Sequence, residues 1–573
     1  MLRRLFPLTG QLRDASRGSL RSDLSAGFTV GVMLVPQGMA YALIAGVPPI
    51  YGLYTGLVPL LVYALLGTSR QLAVGPVAIV SLLVAAGVGP LAEGDGQRYL
   101  ELTFLLAAMV GVIQLALGLL RFGFITNLLS HPVLVGFTSA AAIIIGASQL
   151  RHLLGVDLPR SSDVPEIIAG LWGSLGDVHG ITLAVGLGAM ALLVAVQRWR
   201  RAFPGALAVV VVSTGVVALL GLHRVGVDVV GDVPGGLPAP VLPPLGDGEA
   251  LLALLPVALT IALVGFMESI AVAKVYASRY GYDLDPDREL TAMGAANLVG
   301  AFFRAFPVAG GFSRTAVNAQ AGARTALAGL VSAGVVAVTL LLLTDLFRLL
   351  PNAALAAIIL VAVAGLFNWR EALRLWEVDR RDLAMMAVTF GATLGLGIEP
   401  GILVGVLASL TALVYETSRP NVAVLGRLPG TESFRGLDRH PRAEEPEGGL
   451  VFRMDASLSF ANARFFRDRV REHVEAAERL RWLIFDFHPV NRIDSTALHE
   501  LEMVVDELRA RGIEPAFAGV KSAVMDRLRA VALDERVGRE RFFLEVADAV
   551  REAEGAGELS AVSAADHLEV PER

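Results

Sequence analysis

The stretch "PVAGGFSRTAV" (residues 307–317) sets Arg314 in a run otherwise fit for the interior of a bilayer, and "LVGFMESIAVAK" (263–274) does the same with Glu268. An acid or a guanidinium at the bilayer centre costs at least ~2.5–3.5 kcal/mol, so neither persists without a purpose. Glu268 reads as a proton or cation site facing a cavity, or as a buried partner held for another charge. Arg314 reads as part of a positive field at an anion site, as the counter-ion of Glu268, or as a donor to carbonyls left open by a broken helix. Its neighbour Ser313 is a substrate donor or a helix N-cap. Other chemistries drop out. Cys is absent, which removes disulfides, thiol catalysis and Cys-ligated zinc. The nine His show no ligand spacing, and HExxH, P-loop and nucleophile-elbow patterns are missing. No metal, cofactor or enzymatic activity is expected. A net charge of −6 with no basic face gives no reason to expect nucleic acid.

The elements that must position these residues are membrane spans. The chain is 54% hydrophobic, with a mean hydropathy of +0.61, well above a soluble protein. The average hides a break: residues 1–420 hold 51 of the 102 charged side chains, and the 153 residues after them hold the other 51. A lipid-dissolved body therefore precedes a water-soluble tail. Apolar runs of roughly 17–25 residues mark spanning helices. Fourteen segments are expected, near 24–44, 48–67, 72–90, 99–120, 125–148, 179–197, 204–222, 249–273, 287–303, 307–322, 325–347, 351–368, 382–398 and 400–418. The N-terminal arginines precede the first run without a signal-peptide cleavage pattern. Starting inside, alternate connections hold 18 Arg and Lys against 6 on the other side, which places both termini in the cytoplasm.

Segments three and ten are broken by Gly and Pro ("AVGPVAIVSLL", "PVAGGFSRTAV") and stand third in each half of seven. An odd repeat inverts the second half, the arrangement of secondary transporters whose half-helices begin near the midplane. Those starts, near Pro76–Val77 and Gly311–Phe312, would converge, and free N–H groups with positive dipole ends attract an anion. Val77 and Ala78 offer backbone N–H and an apolar wall; Phe312, Ser313 and Arg314 open the second half-helix. Gln37 and Tyr41, one turn apart, share a helix face, with Tyr41 also readable as a packed interfacial aromatic.

Four stretches in order, "VPQGMAYALIAGVPPIYGLYT" (35–55), "LAVGPVAIVSLL" (72–83), "MESIAVAK" (267–274) and "GGFSRTAVNAQAGART" (310–325), resemble the sulfate permease (SulP) anion transporters, the group that includes prestin. The resemblance spans nearly the whole chain. It implies fourteen transmembrane segments as a 7+7 inverted repeat. A core domain (segments one to four and eight to eleven) moves against a gate domain (five to seven and twelve to fourteen) in an elevator-like cycle. It further implies homodimers, a cytoplasmic STAS domain, and Gln37 and Tyr41 lining the anion cavity. Sodium-coupled bicarbonate carriers of the family have Asp at the Glu268 position and a hydroxyl one turn later. Val272 stands there instead, which favours a proton over sodium. The expected function is proton-coupled uptake of sulfate or another small oxyanion or dicarboxylate. Bicarbonate or chloride transport within the family is the alternative, and a nucleobase:proton symporter or a STAS-linked sensor are more distant ones. The similarity to bacterial sulfate permeases implies a bacterial inner-membrane location.

Expected boundaries are a cytoplasmic segment 1–23, a transport domain 24–420, a linker 421–448, a STAS domain 449–553 and a flexible tail 554–573. Strand-like "LVFRMD", "RWLIFDF" and "EPAFAGV" alternate with helical runs, the first capped by Asn462 and the second stopping at Gly512, which makes an α/β domain. "DSTA" (494–497) resembles the STAS signature loop. In that family Thr496, with Ser495 beside it, implies a phosphorylatable hydroxyl, against a reading in which Asp494, Ser495 and Thr496 cap a helix.

Overall fold

The computed structural model describes residues 7–13, 16–124, 130–157, 164–199, 205–477 and 479–555. These form two compact units, Met1–Ser409 and Leu410–Arg573. In the first unit every expected segment holds a helix. A short α1 (Pro7–Arg13) precedes α2 (Arg17–Ile44) and α3 (Pro49–Leu66). The two-residue strand β1 (Val74–Gly75) then leads into α4 (Ala78–Val88), followed by α5 (Gly96–Leu119), α6 (His131–Leu154), a short α7 (Val164–Gly173), α8 (Gly180–Trp199) and α9 (Gly205–Leu220). The second half runs α10 (Gly248–Tyr280), α11 (Pro286–Ala301), β2 (Ala309–Gly310), α12 (Phe312–Gln320), α13 (Leu327–Val338), α14 (Asn352–Ala364), an interposed α15 (Trp369–Val378), α16 (Arg380–Leu396) and α17 (Ile398–Ser418). Nine helices among the described residues are long and apolar enough to cross a membrane. The rest are shorter; α4 and α12, with 11 and 9 residues, are the two broken segments.

The packing repeats with inverted symmetry. α4 packs on α10 as α12 packs on α2, α5 on α11 as α13 on α3, and α6 on α16 as α14 on α8. The two half-helix entries pair antiparallel, Val74 opposite Gly310 and Gly75 opposite Ala309, so the chain passes the crossing in opposite directions. Helices α2–α5 with α10–α13 form one packed group, and α6, α8, α9, α14 and α16 another. With little hydrophobic force between helices in lipid, close backbone approach through small residues carries the association. A Cβ on Gly111 would lie 2.4 Å from Leu298 N, and one on Gly294 would lie 2.4 Å from Leu115 N, so α5 and α11 touch backbone to backbone.

Buried polar side chains stitch the broken segments in place. Gly310 N donates to Ser269 Oγ (2.7 Å), Ala73 N to Thr315 Oγ1 (3.0 Å) and Asn318 Nδ2 to Gln71 O (2.9 Å). Asn297 donates to Gln114 Oε1 (2.9 Å) and accepts from Val308 N (2.7 Å). These bonds satisfy backbone groups that a broken helix leaves open and lipid cannot.

The second unit is a six-stranded sheet of order β4-β3-β5-β6-β7-β8, built from β3 (Val422–Arg427), β4 (Phe434–Gly436), β5 (Gly449–Met454), β6 (Trp482–Asp486), β7 (Glu514–Ala518) and β8 (Phe542–Phe543). β5 to β8 run parallel and β3 antiparallel to β5. α18 (Ala463–Ala476), α19 (Ser495–Ala510), α20 (Ser522–Ala530), α21 (Leu533–Val537) and α22 (Val546–Ala553) complete it. Alternate residues of β5 and β6 enter opposite cores: Phe452 and Phe485 lie with α18 and α19, while Val451, Trp482 and Ile484 lie with α22. The stretch 421–448, expected as a linker, holds β3 and β4 of this sheet. Asn462 stands at the start of α18 without capping it. Its carboxamide instead donates to Ser457 O and Thr417 O and accepts from Ser459 N. Gly512 ends α19 as expected, in a left-handed turn at φ 74°.

Candidate functional site

The two half-helices start without side-chain caps, α4 after Val77 and α12 after Gly311, both in extended backbone. The N–H groups of their first turns therefore have no side-chain acceptor, and both starts face one cavity of about 670 Å³. Every expected transport-site residue lines it: Gln37 and Tyr41 from α2, Val77 and Ala78 at α4, Glu268 from α10, and Phe312, Ser313 and Arg314 from α12. Ser313 is the second residue of α12 while Gly311 holds the cap position, so the N-cap reading of Ser313 does not apply.

Arg314 is 1% exposed, and its Nη1 donates to Pro76 O at 2.8 Å, bridging the two half-helix entries. That is the carbonyl-donor role. Its Nε and Nη2 have no partner, nor do Glu268 Oε2 and Gln37 Oε1. Glu268 and Arg314 share the cavity, each within the other's electrostatic reach, without a direct ion pair among the described residues. A buried guanidinium whose Nε and Nη2 find no protein acceptor carries a desolvation cost that the protein alone does not meet. An oxyanion at the half-helix starts would satisfy it, with charge-assisted bonds about twice as strong as neutral ones.

Gly311 makes this geometry possible. A Cβ there would lie 2.8 Å from Arg314 Nη2, so only glycine lets the guanidinium fold back over its own helix start.

Sequence reasoning missed the far wall of the cavity, where Leu193, Gly205, Ala206 and Ile358 come from α8, α9 and α14. Those four are apolar or glycine, and the one polar side chain that α8 adds to the wall is Gln197. It also missed two acids more buried than Glu268, which is 9% exposed. Glu289 (1% exposed) accepts from Tyr63 OH (2.6 Å), Thr68 N (2.5 Å), Thr68 Oγ1 (2.6 Å) and Ser69 N (2.9 Å). Asp23 (0% exposed) accepts from Arg324 N, Thr325 N and Thr325 Oγ1. With every donor in place, both serve as fasteners of the loops flanking the half-helices.

Ser495 and Thr496 belong to the second unit, exposed on the first turn of α19. Asp494 is the cap, accepting from Ala497 N at 2.9 Å. Among the described residues no group of three or more His, Asp or Glu is placed to hold a metal.

The chain matches the pattern of the sulfate permease family over residues 20–389 and that of the STAS domain over 440–549. It is 40% identical over 545 residues to probable sulfate transporter 4.2 of Arabidopsis thaliana, covering 92% of this chain and 80% of that one. To a probable sulfate transporter of Mycobacterium tuberculosis it is 36% identical over 542 residues, covering 94% and 96%. Its fold is similar to the murine Solute Carrier 26 family member A9 anion transporter in the inward-facing state, with a TM-score of 0.89 at 26% identity over 96% of this chain and 94% of that one. Fourteen helical segments in inverted repeat, a cavity at two half-helix starts and a STAS sheet thus agree with the family match. The chain belongs to the sulfate permease family of multi-pass membrane anion transporters, and it is not an enzyme.

Proposed function

We propose that the protein is a secondary-active transporter that takes up sulfate, or another small oxyanion or dicarboxylate, together with a proton. The observation that carries this reading is Arg314, buried at the meeting of two uncapped half-helix starts with Nε and Nη2 unpartnered. The anion lies between those starts, held by backbone N–H groups, Ser313 and the free guanidinium donors. Val77, Ala78 and Phe312 wall the site, and Gln37 and Tyr41 orient the cargo from α2. Glu268, facing the same cavity, takes the coupling proton. Neutral when loaded, it lets an anion cross without stacking negative charges. Val272 one turn later supplies no hydroxyl for sodium.

Movement of the α2–α5/α10–α13 group against the other, elevator-like, carries the site across. The cavity supports this because its walls come from both groups. The Arg and Lys bias of the connections supports both termini in the cytoplasm, and a bacterial inner-membrane location belongs to the same reading. Assembly as a homodimer and regulation through Ser495 or Thr496 belong to the same reading.

Uptake by the purified chain in liposomes, against a panel of sulfate, bicarbonate, chloride, nitrate and fumarate, tests it. An inward proton gradient should drive accumulation of sulfate, with no response to replacing sodium by a large organic cation. Glu268→Gln should keep anion binding and lose acceleration by the gradient. Accumulation of substrate by that variant on a proton gradient alone would make Glu268 something other than the coupling site.

A further inference from the structure

A second cavity in the first unit, of about 760 Å³, shares no lining residue with the transport cavity. It is walled by Gln11 of α1, by Ser16, Ser19 and Ser22 around the start of α2, by Arg70 just before β1, and by Arg324 and Thr325 just after α12. The two guanidiniums lie over aromatic rings. Arg70 Cζ lies 4.8 Å from the ring centre of Tyr282 and Arg324 Cζ 5.4 Å from that of Tyr280. Both rings are themselves fixed, Tyr282 OH donating to Gln71 Oε1 (2.8 Å) and Tyr280 OH to Ala319 O (3.2 Å).

Stacking on a ring orients a guanidinium without using its N–H donors. Among the described residues neither arginine has a carboxylate partner. Asp23, beside Arg324, is fully buried, and its oxygens are taken by the Arg324 and Thr325 amides and the Thr325 hydroxyl. Exposed Arg13 and Arg21 add positive charge on the same N-terminal stretch.

We propose that this cavity is a second anion site, taking a phosphate-type tetrahedral oxyanion between Arg70 and Arg324 with the Ser16 and Ser22 hydroxyls as further donors. Its placement makes it regulatory. Arg70 leads into β1 and α4, Arg324 follows α12, and the serines begin α2, so one ligand braces the three elements that carry Gln37, Tyr41, Val77, Ala78 and Phe312–Arg314. The same chemistry is offered by free inorganic phosphate and by the headgroup of phosphatidic acid.

The test uses the full chain in phosphatidylcholine nanodiscs, with binding of radiolabelled inorganic phosphate measured for the native protein, Ser313→Leu, and Arg70→Gln/Arg324→Gln alone and combined with Ser313→Leu. A parallel set contains phosphatidic acid, and retained lipid is counted. Both arginines are exposed, so their replacement spares the fold. Ser313→Leu, whose transport cavity is blocked, should keep phosphate binding, and adding Arg70→Gln/Arg324→Gln to it should weaken that binding at least about tenfold, because charge-assisted bonds are lost. Arg70→Lys/Arg324→Lys should fall between. Retention of phosphatidic acid without binding of free phosphate, lost in the double Gln variant, supports the site with lipid as its source. Equal binding of both ligands by Ser313→Leu with and without the two Gln substitutions overturns it. So does loss in Ser313→Leu alone, which would put the anion in the transport cavity, and so does failure of the native protein to take either ligand.

Discussion

Gly311→Ala separates the placement of Arg314 from the integrity of the fold. Gly311 has φ −88° and ψ 125°, ordinary extended backbone, so alanine introduces no backbone strain. What the new methyl meets is the guanidinium: Nη2 at 2.8 Å, Cζ at 2.9 Å and Nε at 3.3 Å. Heavy atoms settle at about 3.5–4.0 Å, so the guanidinium must retreat by roughly 0.7 Å or more. It cannot do so freely while Nη1 is bonded to Pro76 O at 2.8 Å. The retreat therefore withdraws the two unpartnered donors, Nε and Nη2, from the anion position. A hydrogen bond to a charged group contributes about 1.5–3 kcal/mol, so losing one lowers anion affinity by roughly 10- to 100-fold. Equilibrium binding of labelled sulfate to the purified protein measures this, with the thermal unfolding midpoint as the control for folding. A well-folded variant with native affinity would refute the reasoning, because the guanidinium would then not be held where the anion binds.

Three further outcomes follow from the packing. Glu289→Ala leaves the donors of Tyr63, Thr68 and Ser69 buried without an acceptor; at about 1–3 kcal/mol for each stranded group the variant should lose several degrees in thermal stability, with Glu289→Gln recovering part, and an unchanged midpoint would contradict the fastener role. Gly52→Ala should fail to give folded protein on size-exclusion chromatography, since its Cβ would lie 1.9 Å from Gly38 O, a backbone atom that cannot yield. In the second unit the hydrogen bond from Arg471 holds the Glu507 carboxyl below its usual range, with Arg511 adding to the effect. That stabilisation is present above the unfolded carboxyl value of about 4.3 and is lost as pH falls through the lower folded one. Glu507→Gln should therefore unfold earlier than native at pH ~7, with the gap closing toward pH ~4, and an equal gap at both would refute the linkage.

The half-helix breaks were legible because Gly75, Pro76, Gly310 and Gly311 interrupt apolar runs, and in a membrane broken backbone survives only beside a cavity or buried in protein. Arg314 and Glu268 were legible because charge in an apolar run is rare. Glu289 was not. It stands in "PDREL" at a helix start, where an acid ordinarily faces water and complements the dipole, and only the tertiary fold brings Tyr63, Thr68 and Ser69 to it. The strands β3 and β4 were hidden for a different reason. They are the outer two strands of the sheet, β4 at its edge and β3 beside it, partly exposed, in a stretch whose charge and proline content read as linker. Asn462 has the side chain of a helix cap, yet turns it back on Ser457 and Ser459, a competition between local backbone partners that the sequence does not decide.

The central claim is that the anion rests between the two half-helix starts, against Arg314. Crystals of the full chain soaked in selenate, with anomalous differences collected at the selenium edge, test it most directly. The account predicts a strong peak within hydrogen-bond reach, about 3 Å, of the Arg314 guanidinium and the first-turn N–H groups of Phe312 and Ser313. No peak there at saturating selenate, or a peak confined to another part of the first unit, would contradict it.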